Sequence, residues 1–590
     1  MCGIFGYIGE SRDAGEAVVE GLCRLDYRGY DSWGVAVLND ADIEIEKRVG
    51  VVSGVPLPFH GGHVGIGHTR WATHGAVTEV NAHPHLATDR SFALAHNGIV
   101  ENMDELKAAL QKKGYSFLSQ TDTEAIVYLI EEKWKKARTL PEAVRAAFKE
   151  LKGRNTIIVL ANDGLILGAR NGSPLVLGIG AQGGELYFSS DVLSFSSHVK
   201  GVVVLENGQM AITSPQGLSI IDIASGKKLT TTIEKNTLVG ASADKGAYEH
   251  YMLKEIMESP MVIERVTNQK NADVRMLASA IMKARRVYTI GSGTAGATAA
   301  QMAYYLREYG SIPATALIGA EASEYYDLIG KGDLLIALSQ SGETADVLEV
   351  LEFAKKKGAK IASYVNMPGS MMTRMSDYTY MAEAGPEICV MSTKIFTSQI
   401  AWGYLVAKAV QGKLADGKKQ LKQLALQAKK LLKDTVKIAE IKALAPQMAG
   451  HQHLFVLAKG QNLQIAREAM VKIIESSYIH AHAIPAGDLK HYAITLMAPG
   501  VPVIAILSND DLRSDVLNAI HEVKTRGAFV TGVSPLAAKE FDQTLLVPDT
   551  KETSAIMNII PLQLLAYYMS VHLGNNVDKP RNIAKIVTVK

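Results

Sequence analysis

Cysteine is rare in this chain of 590 residues, yet one of its three cysteines stands at position 2. It precedes a glycine and an apolar run in the opening stretch MCGIFGYIGE. If Met1 is removed, Cys2 carries a free α-amine on the same residue as its thiol, so that a nucleophile and a base share one residue. The alternative is a structural cysteine, since cysteine often serves as a small apolar core residue.

Polar segments near this cysteine in the sequence supply what a nucleophilic thiol needs. Attack on a side-chain amide requires a donor to the developing oxyanion, and Asn97 with the backbone N–H of Gly98 can provide one. A free amino acid substrate also needs its two charged ends held. Arg70 can bind a carboxylate with two hydrogen bonds, and Asp122 can receive an ammonium group. These residues come from the segments HTRWATHG (68–75), AHNGIV (95–100) and QTDTEA (120–125).

A second group of polar residues lies between an apolar strand and a helix in LLIALSQSGETADVLEVL. Free backbone N–H groups and hydroxyls at the start of a helix can cradle a phosphate. The alternative is a polar turn that only caps the helix. The residues concerned are Ser339, Gln340, Ser341 and Thr344.

A glycine-rich loop, IGSGTAG, fits the dinucleotide-binding fingerprint through Gly291, Gly293 and Gly296. The fingerprint expects an acidic residue about 20 positions further on. The candidate here, Glu321, comes later than that, so we favour a phosphosugar loop. A dehydrogenase stays open as an alternative.

Titratable residues in the last third of the chain indicate proton transfer. Lys472 and Glu475 are three residues apart and therefore share one helix face. His491 lies in PAGDLKHYAITL, and Lys585 lies in the C-terminal segment DKPRNIAKIVTVK. Each has a plain alternative: a surface ion pair worth about 0.3 kcal/mol, a core histidine, and a solvated lysine.

The elements that must position these residues change in kind near residue 240. Before it, short strands punctuated by Gly, Asn and Asp, with helical stretches at 14–25 and 122–137, predict an α+β layered domain. After residue 280, strand, Gly/Ser loop and helix follow one another in two similar series, which predicts two parallel α/β domains and an internal duplication. A charged helical spacer at 414–434 separates the two series.

Composition narrows the function classes. The net charge is +2 and the pI about 8.1, so no basic field indicates nucleic acid or a membrane surface as a partner. Three scattered cysteines are too few for a disulfide framework or a cysteine zinc site. No run approaches the roughly 18 apolar residues of a membrane span, and no cationic leader opens the chain. We expect a soluble cytoplasmic protein without a metal or cofactor.

The motifs CGI, YRGYDS, HTRWATHG, HNGI and TDTE resemble those of the N-terminal-nucleophile glutaminase family over about the first 220 residues. The resemblance implies hydrolysis of glutamine to glutamate and ammonia, with the α-amine of Cys2 as base. It places five residues in the glutamine pocket: Arg70, Thr73, His74, Gly98 and Asp122.

With SQSGET, VMSTK and YIHAHAIPAGDLKH, the whole chain resembles the family of isomerising glutamine:fructose-6-phosphate amidotransferases. The resemblance implies imine formation by Lys585 with the open-chain ketose, ring opening assisted by His491, and a proton shift by Glu475 with Lys472 nearby. Trp71 would gate an ammonia passage. The implied substrates are glutamine and fructose 6-phosphate, and the implied assembly is a homodimer. The residues implied to contact the phosphate or the sugar are Thr294, Ser339, Gln340, Ser341, Thr344, Val390 and Ser392.

The predicted architecture is an α+β N-terminal-nucleophile glutaminase layer sandwich followed by two α/β parallel-sheet sugar-isomerase domains. The expected bounds are 2–225 for the glutaminase domain, 226–275 for a linker with a connecting helix, 276–415 and 445–580 for the isomerase domains, and 581–590 for a catalytic tail. Two further alternatives are an amidotransferase with another acceptor, such as one that makes a phosphoribosylamine, and a phosphosugar sensor. A sensor has no use for Cys2 or Lys585.

Overall fold

The computed structural model describes residues 2–40, 42–52, 56, 61–181, 184–214, 217–236 and 244–588. The chain divides into two compact units. The first comprises Met1–Ser242 together with Ala584–Lys590, and the second comprises Ala243–Ile583. The last residues of the chain therefore belong to the same unit as the first.

The first unit consists of antiparallel strands with four helices between them. Its elements are β1 Gly3–Ile8, α1 Ala14–Leu25, β2 Ser32–Asn39, β3 Asp42–Val49, β4 Val64–Arg70, β5 His85–Leu86, β6 Phe92–Gly98, α2 Met103–Gln111, α3 Asp122–Trp134, α4 Leu140–Phe148, β7 Asn155–Ala161, β8 Ile166–Asn171, β9 Val176–Gly180, β10 Leu186–Ser189, β11 Val199–Val204, β12 Gln209–Ser214, β13 Gly217–Asp222, β14 Lys228–Leu229 and β15 Glu234–Lys235.

These strands form two antiparallel sheets that pack face to face. One has eight strands in the order β15-β11-β9-β10-β1-β4-β2-β3, and the other has seven in the order β14-β13-β12-β8-β7-β6-β5. Apolar side chains of both sheets, such as Ile4, Ile66 and Ile158, form the core between them. Helix α1 covers the outer face of the first sheet, and α2 to α4 cover the second. This is the predicted α+β layer sandwich, with helices on both outer faces.

The second unit alternates strands and helices. Its elements are α5 Tyr251–Met257, α6 Ser259–Thr267, α7 Asn271–Lys283, β16 Val287–Gly291, α8 Thr294–Gly310, β17 Thr315–Ile318, β18 Leu334–Ser339, α9 Ala345–Lys356, β19 Lys360–Val365, α10 Met371–Met375, β20 Tyr378–Met381, α11 Lys394–Val410, α12 Leu414–Lys433, α13 Thr435–Ala449, β21 His453–Ala458, α14 Leu463–Ser477, β22 His480–Pro485, β23 Pro502–Ile506, α15 Arg513–Lys524, β24 Phe529–Ser534, β25 Gln543–Leu546 and α16 Ser554–His572.

Two parallel sheets of five strands form the framework of this unit. Their orders are β17-β16-β18-β19-β20 and β22-β21-β23-β24-β25, so the second sheet repeats the topology of the first. All neighbouring strands in both sheets are parallel. The repeated topology confirms the predicted duplication. The predicted charged spacer forms α12, which buries Leu421 and Leu424 on one face.

Helix α16 is the most apolar element of the second unit. Within the described residues, Lys551–His572 is the one helical segment whose length and composition would allow it to cross a membrane. The sequence alone did not predict it. However, 89% of its apolar window is buried inside the protein. It also buries Asn558 and Gln563. Such burial is typical of a core helix.

Candidate active sites

The thiol of Cys2 lies immediately before strand β1, beside the end of β4. Trp71 donates its backbone N–H to Cys2 Sγ over 3.3 Å, and Sγ lies 3.5 Å from the Trp71 carbonyl oxygen. Burial raises the pKa of the thiol above its ordinary value of 9.0, although the Trp71 N–H and the Arg70 charge act in the opposite direction. The neutral thiol is therefore the resting form at neutral pH. A nucleophilic attack by Cys2 needs a base.

Asn97, near the end of β6, directs its amide nitrogen towards Cys2. Asn97 Nδ2 donates to the Cys2 carbonyl oxygen over 3.1 Å. Asn97 Oδ1 lies 3.1 Å from His68 Nε2, which is also 3.1 Å from the His96 carbonyl oxygen. Because both neighbours of His68 Nε2 are acceptors, that nitrogen carries the proton, and this fixes the orientation of the Asn97 amide. The Asn97 donors therefore face Cys2, as stabilisation of an oxyanion requires.

Gly98 follows Asn97 in a backbone conformation that favours glycine. Its φ is +147°, and a Cβ atom here would lie 2.3 Å from the carbonyl oxygen of Arg154. Any other residue would push β6 away from its neighbour. The glycine therefore keeps the backbone beside Asn97 in place.

Arg70, the last residue of β4, is buried and shapes the loop that follows. Its guanidinium donates to the carbonyl oxygens of Gly75 and Ala76, each over 3.2 Å, and to that of His74. Thr73 and His74 are exposed on this loop, with His74 Nδ1 3.4 Å from Thr73 Oγ1. The Arg70 guanidinium thus holds the loop that carries Thr73 and His74, and its partners here are backbone carbonyls.

Asp122 begins helix α3 and is also buried. It accepts the backbone N–H of Val100 over 2.8 Å. Burial lowers the pKa of Arg70, while the charges of Cys2, Asp31 and Asp122 oppose that shift. The cation that the sequence assigns to one end of an amino acid therefore lies within electrostatic range both of the thiol and of the carboxylate assigned to the other end.

Two charged residues that contact Cys2 or the loop after β4 were not predicted from the sequence. Arg28 Nε donates to the Cys2 carbonyl oxygen over 3.4 Å, and its guanidinium pairs with the buried Asp191 at 3.5 Å. Asp31 accepts the backbone N–H of Ala72 over 2.8 Å. Both residues belong to the segment YRGYDS. The charged residues next to tyrosines in this segment were the pattern from which the sequence could have predicted them as site residues.

Four buried histidines lie behind Asn97. The rings of His68 and His83 are 4.3 Å apart between centroids, and those of His83 and His85 are 5.1 Å apart. His96 is held by Thr123 at 3.1 Å and by a side-chain oxygen of β7 at 3.0 Å. Burial lowers the pKa of all four, that of His68 to about 3. The group is neutral at physiological pH.

The polar loop after strand β18 is held by its own side chains. Gly342 donates its N–H to Ser339 Oγ over 2.8 Å, and Glu343 donates its N–H to Ser341 Oγ over 3.1 Å. Gly342 has a φ of +69°, and a Cβ atom there would lie 2.1 Å from Ser370 Oγ. The loop is therefore fixed in a conformation that keeps two hydroxyls near the start of α9.

The remaining predicted phosphate residues lie at helix starts or beside them. Thr344 is the N-cap of α9, and Gln340 is half-buried in the same loop. Thr294 is the first residue of α8, after Gly293. Thr294 Oγ1 donates to Glu468 Oε1 over 3.2 Å. The start of α8 in the first parallel domain therefore contacts helix α14 of the second.

Helix α14 carries a lysine between two carboxylates. Lys472 Nζ lies 2.5 Å from Glu475 and 3.4 Å from Glu468. Lys472 and Glu468 have no exposed side-chain surface, whereas the Glu475 side chain is 26% exposed. The sequence predicted Lys472 and Glu475, but not Glu468. The spacing of four residues between Glu468 and Lys472 was the signal that could have revealed it.

The pKa values of Glu468 and Lys472 are both raised. Burial raises the pKa of Glu468 to about 8, although Lys472 opposes the rise. Burial favours neutral Lys472, yet the two carboxylates outweigh it and raise the lysine pKa above its ordinary value. Lys472 is therefore a permanent cation. Glu468 therefore loses its proton close to physiological pH.

Val390 and Ser392 lie in the segment before helix α11, which is closely held. Val390 N–H donates to the carbonyl oxygen of Asp578 over 3.0 Å, and Ser392 Oγ donates to Glu387 over 3.1 Å. Asp578 also accepts the N–H groups of Tyr251 and the next residue at 3.0 and 2.9 Å. The segment predicted to face the sugar is thus fixed by buried carboxylates and backbone groups.

His491 and Lys585 are assigned to different units. His491 is exposed on the 3-10 turn Ala486–His491, which follows β22 in the second unit. Lys585 belongs to the first unit and is half-buried. Its neighbours Ile586 and Thr588 are buried, and Thr588 Oγ1 lies 2.5 Å from Ser173 Oγ. The last described residues are therefore anchored, so Lys585 does not project from a loose end.

A search of the described part of the chain finds no group of three or more histidine, cysteine or acidic residues that could hold a metal ion.

Family models match both units. A glutamine amidotransferase domain model matches residues 68–197, and an SIS domain model matches residues 280–409 and 447–573. The solved C-terminal domain of the glucosamine-fructose-6-phosphate aminotransferase of Francisella tularensis is 31% identical, with a TM-score of 0.52, and covers 57% of this chain and 100% of its own. The fold and the sites thus define a glutamine amidotransferase domain followed by two sugar-isomerase domains.

Curated relatives match along the full length. The glutamine–fructose-6-phosphate aminotransferases (isomerizing) of Pyrococcus horikoshii and Thermococcus kodakarensis are 38% and 37% identical to this chain, each covering 100% of both chains. That of Caldanaerobacter subterraneus is 35% identical with the same coverage. The chain therefore belongs to the family of isomerising glutamine–fructose-6-phosphate aminotransferases, and it is an enzyme.

Proposed function

We propose that this enzyme transfers the amide nitrogen of glutamine to fructose 6-phosphate and isomerises the product to glucosamine 6-phosphate, releasing glutamate. One observation carries the proposal: a single chain combines Cys2, whose carbonyl oxygen accepts the Asn97 amide, with the Glu468–Lys472–Glu475 triad, whose Glu468 contacts Thr294 at the start of α8. A sensor or a dehydrogenase has no use for the first site. Family membership along the whole chain supports the same reaction.

The first half-reaction takes place at Cys2. The Cys2 α-amine, freed by removal of Met1, takes the thiol proton, and Sγ attacks the amide carbon of glutamine. Asn97 Nδ2 and the Gly98 N–H stabilise the oxyanion, the protonated α-amine gives its proton to the amide nitrogen, and the C–N bond breaks to release ammonia. Water then hydrolyses the thioester and releases glutamate. Arg70 binds the substrate carboxylate and Asp122 its ammonium group, with Thr73 and His74 completing the pocket.

The second half-reaction uses the ketose phosphate. His491 assists ring opening, and Lys585 Nζ condenses with carbon 2 of the open-chain sugar, with loss of water. Ammonia then displaces the lysine, and Glu475 takes a proton from carbon 1 and returns it to carbon 2, with the charge of Lys472 beside it. We assign phosphate binding to Thr294, Ser339, Gln340, Ser341 and Thr344, and sugar contacts to Val390 and Ser392.

The ammonia must reach the sugar without being protonated by bulk water, so its path has to be closed. We assign Trp71 to this closure, because its backbone contacts the Cys2 thiol directly. We also propose that the enzyme acts as a cytoplasmic homodimer. This follows from the family resemblance, and light scattering of the purified protein tests the dimer.

A direct experiment is incubation with glutamine and fructose 6-phosphate, followed by mass analysis for a hexosamine phosphate and its identification as glucosamine 6-phosphate. Borohydride added with fructose 6-phosphate should trap a hexose phosphate on Lys585. Lys585→Arg keeps the charge and should lose this adduct while releasing glutamate normally. Absence of product from the unaltered enzyme contradicts the reaction; an adduct on another lysine contradicts only the imine role.

A further inference from the structure

Glu387 stands just before helix α11 and accepts hydrogen bonds on both carboxylate oxygens. It is 3% exposed. Glu387 Oε1 accepts the N–H groups of Thr393 and Ile395 at 3.0 and 3.1 Å. Glu387 Oε2 accepts the hydroxyl proton of Ser392 at 3.1 Å. The carboxylate thus occupies the N-terminus of a 17-residue helix, where the helix dipole favours a negative charge.

This arrangement decides which hydrogen bonds Ser392 can make. A serine hydroxyl has one proton and two lone pairs. An ionised carboxylate has no proton to give, so the Ser392 proton goes to Glu387. Towards a ligand, Ser392 can then act only as an acceptor.

The backbone next to Ser392 is held firmly enough to keep the Ser392 hydroxyl donating to Glu387. The N–H groups of Ile388 and Cys389 donate to Glu255 Oε1 at 2.5 and 3.2 Å. The N–H of Val390 donates to the Asp578 carbonyl oxygen at 3.0 Å. Glu387 itself is bound to the start of α11. Ser392 therefore has little freedom to exchange its acceptor role for a donor role by movement of the loop.

We propose that Glu387 is a positioning residue of the sugar site, which makes Ser392 a fixed hydrogen-bond acceptor for a hydroxyl group of the sugar. The inference rests on the proposed function, which places Ser392 against fructose 6-phosphate. A fixed acceptor selects for a ligand hydroxyl at that point, because a ligand group that cannot donate a hydrogen bond does not match it.

Glu387→Gln tests this with almost no change of shape. The two backbone N–H donors of α11 require an oxygen, so the glutamine oxygen takes the place of Oε1 and its NH₂ group faces Ser392. That NH₂ donates to Ser392, whose proton must then turn away from residue 387. Towards the sugar, the Ser392 hydroxyl therefore changes from an acceptor to a donor. Titration calorimetry with fructose 6-phosphate should show an affinity about tenfold weaker than that of the unaltered enzyme.

A double-mutant cycle separates this role from simple support of the fold. Ser392→Ala removes the group through which Glu387 acts, so adding Glu387→Gln to it should change the affinity by less than about twofold. If each substitution weakens fructose 6-phosphate binding by its own factor and the double variant shows the product of the two factors, the proposal is overturned. The matched control is Asp377→Asn, which alters a carboxylate of the same domain that accepts a backbone N–H at 2.9 Å at the opposite end of the strands. Its affinity should equal that of the unaltered enzyme.

Glu387→Asp provides a second variant if Glu387→Gln does not fold. It keeps the charge but withdraws the carboxylate from Ser392, and it should weaken binding in the presence of Ser392 and not in its absence. Affinity unchanged in a folded variant overturns the role of Glu387 alone. An unaltered enzyme that binds no fructose 6-phosphate overturns both this role and the proposed function.

Discussion

The partners of the Cys2 thiol in the described structure are the backbone N–H and carbonyl of Trp71, neither of which is a base. Because burial raises the thiol pKa, the proposed base is the α-amine of Cys2 itself. Cys2→Ala should abolish glutamate release and leave fructose 6-phosphate binding unchanged, as measured by a glutamate assay and by calorimetry. Enzyme that retains Met1, identified by mass spectrometry, should be equally inactive. Glutaminase turnover in Cys2→Ala would show that another nucleophile acts.

The amide of Asn97 is the single side-chain donor that we assign to the oxyanion. Asn97→Ala should lower the glutaminase kcat by about 10² to 10³, with a smaller change in KM, because the donor acts mainly in the transition state. Asn102→Ala is the control, since Asn102 is also buried and donates to a backbone carbonyl, that of Glu150, over 3.0 Å. An effect below tenfold at Asn97, or an equal effect at Asn102, would argue against the assignment.

Glu468 has a pKa raised to about 8 by burial, so it loses its proton as the pH rises past that value. A glutamine side chain at position 468 resembles the protonated form of Glu468 and cannot ionise. Glu468→Gln should therefore retain sugar isomerisation within about threefold at pH 7 and lose any rate transition near pH 8. Glu475→Gln should instead lose about 10² to 10⁴ of the rate at all pH values, as expected on removal of a general base. A pH–rate profile of each variant checks this, and a transition near pH 8 that persists in Glu468→Gln contradicts the assignment.

Among the elements, strands β4 and β6, together with β5 and the segment before it, bring together the four histidines behind Asn97. Their pKa values lie below the ordinary 6.5, so the unfolded chain binds more protons than the folded unit once the pH falls below about 6.5. Each such histidine makes the free energy of unfolding fall by about 1.4 kcal/mol for each unit that the pH drops below 6.5. The loss continues until the pH reaches the pKa of the histidine in the folded state, about 3 for His68. Above pH 6.5 the histidines cause no loss of stability.

Thermal unfolding followed from pH 7.5 to 4.5 tests this. The first unit should lose stability steeply below pH 6.5. His83→Gln removes one titrating ring from the group and should make the slope shallower by about one proton. A slope that is unaltered in this variant would mean that other groups cause the acid sensitivity.

Several elements could be predicted from the sequence because their patterns are local. The predicted helix at 14–25 coincides with α1 Ala14–Leu25, and strand–loop–helix units recur where the glycine and serine loops stand. Helices α2 and α4 were not predicted: the sequence indicated two helices in this half, and its described residues form four. Each has nine residues, too few for a clear apolar period.

The candidate sites depend on contacts that the sequence does not contain. Arg28 reaches the Cys2 carbonyl across 26 positions, and Glu468 meets Thr294 across 174. Such contacts arise only when strands and helices pack. The motifs indicated which residue types were present, whereas the packing decides which of them are buried, paired and shifted in pKa.

At the scale of the whole molecule, the duplication gives the second unit two domains of the same topology that carry different polar residues. Eight residues after the glycine that precedes each corresponding helix, α8 carries Gln301 and α14 carries Glu468. Only the second copy has a carboxylate at that position, and only the first has the serine and threonine loop SQSGET after its third strand. In the proposed reaction, the first copy supplies the phosphate loop and the second supplies the proton-transfer groups.

The central claim is that nitrogen passes from glutamine to the sugar without mixing with ammonium in solution. The most direct measurement supplies glutamine labelled with ¹⁵N in its amide, together with fructose 6-phosphate and an excess of unlabelled ammonium, and analyses the hexosamine phosphate by mass spectrometry. The account predicts a product that carries ¹⁵N despite the excess, and no labelled product from Cys2→Ala. A product that carries unlabelled nitrogen, or glutamate released without any hexosamine phosphate, would contradict it.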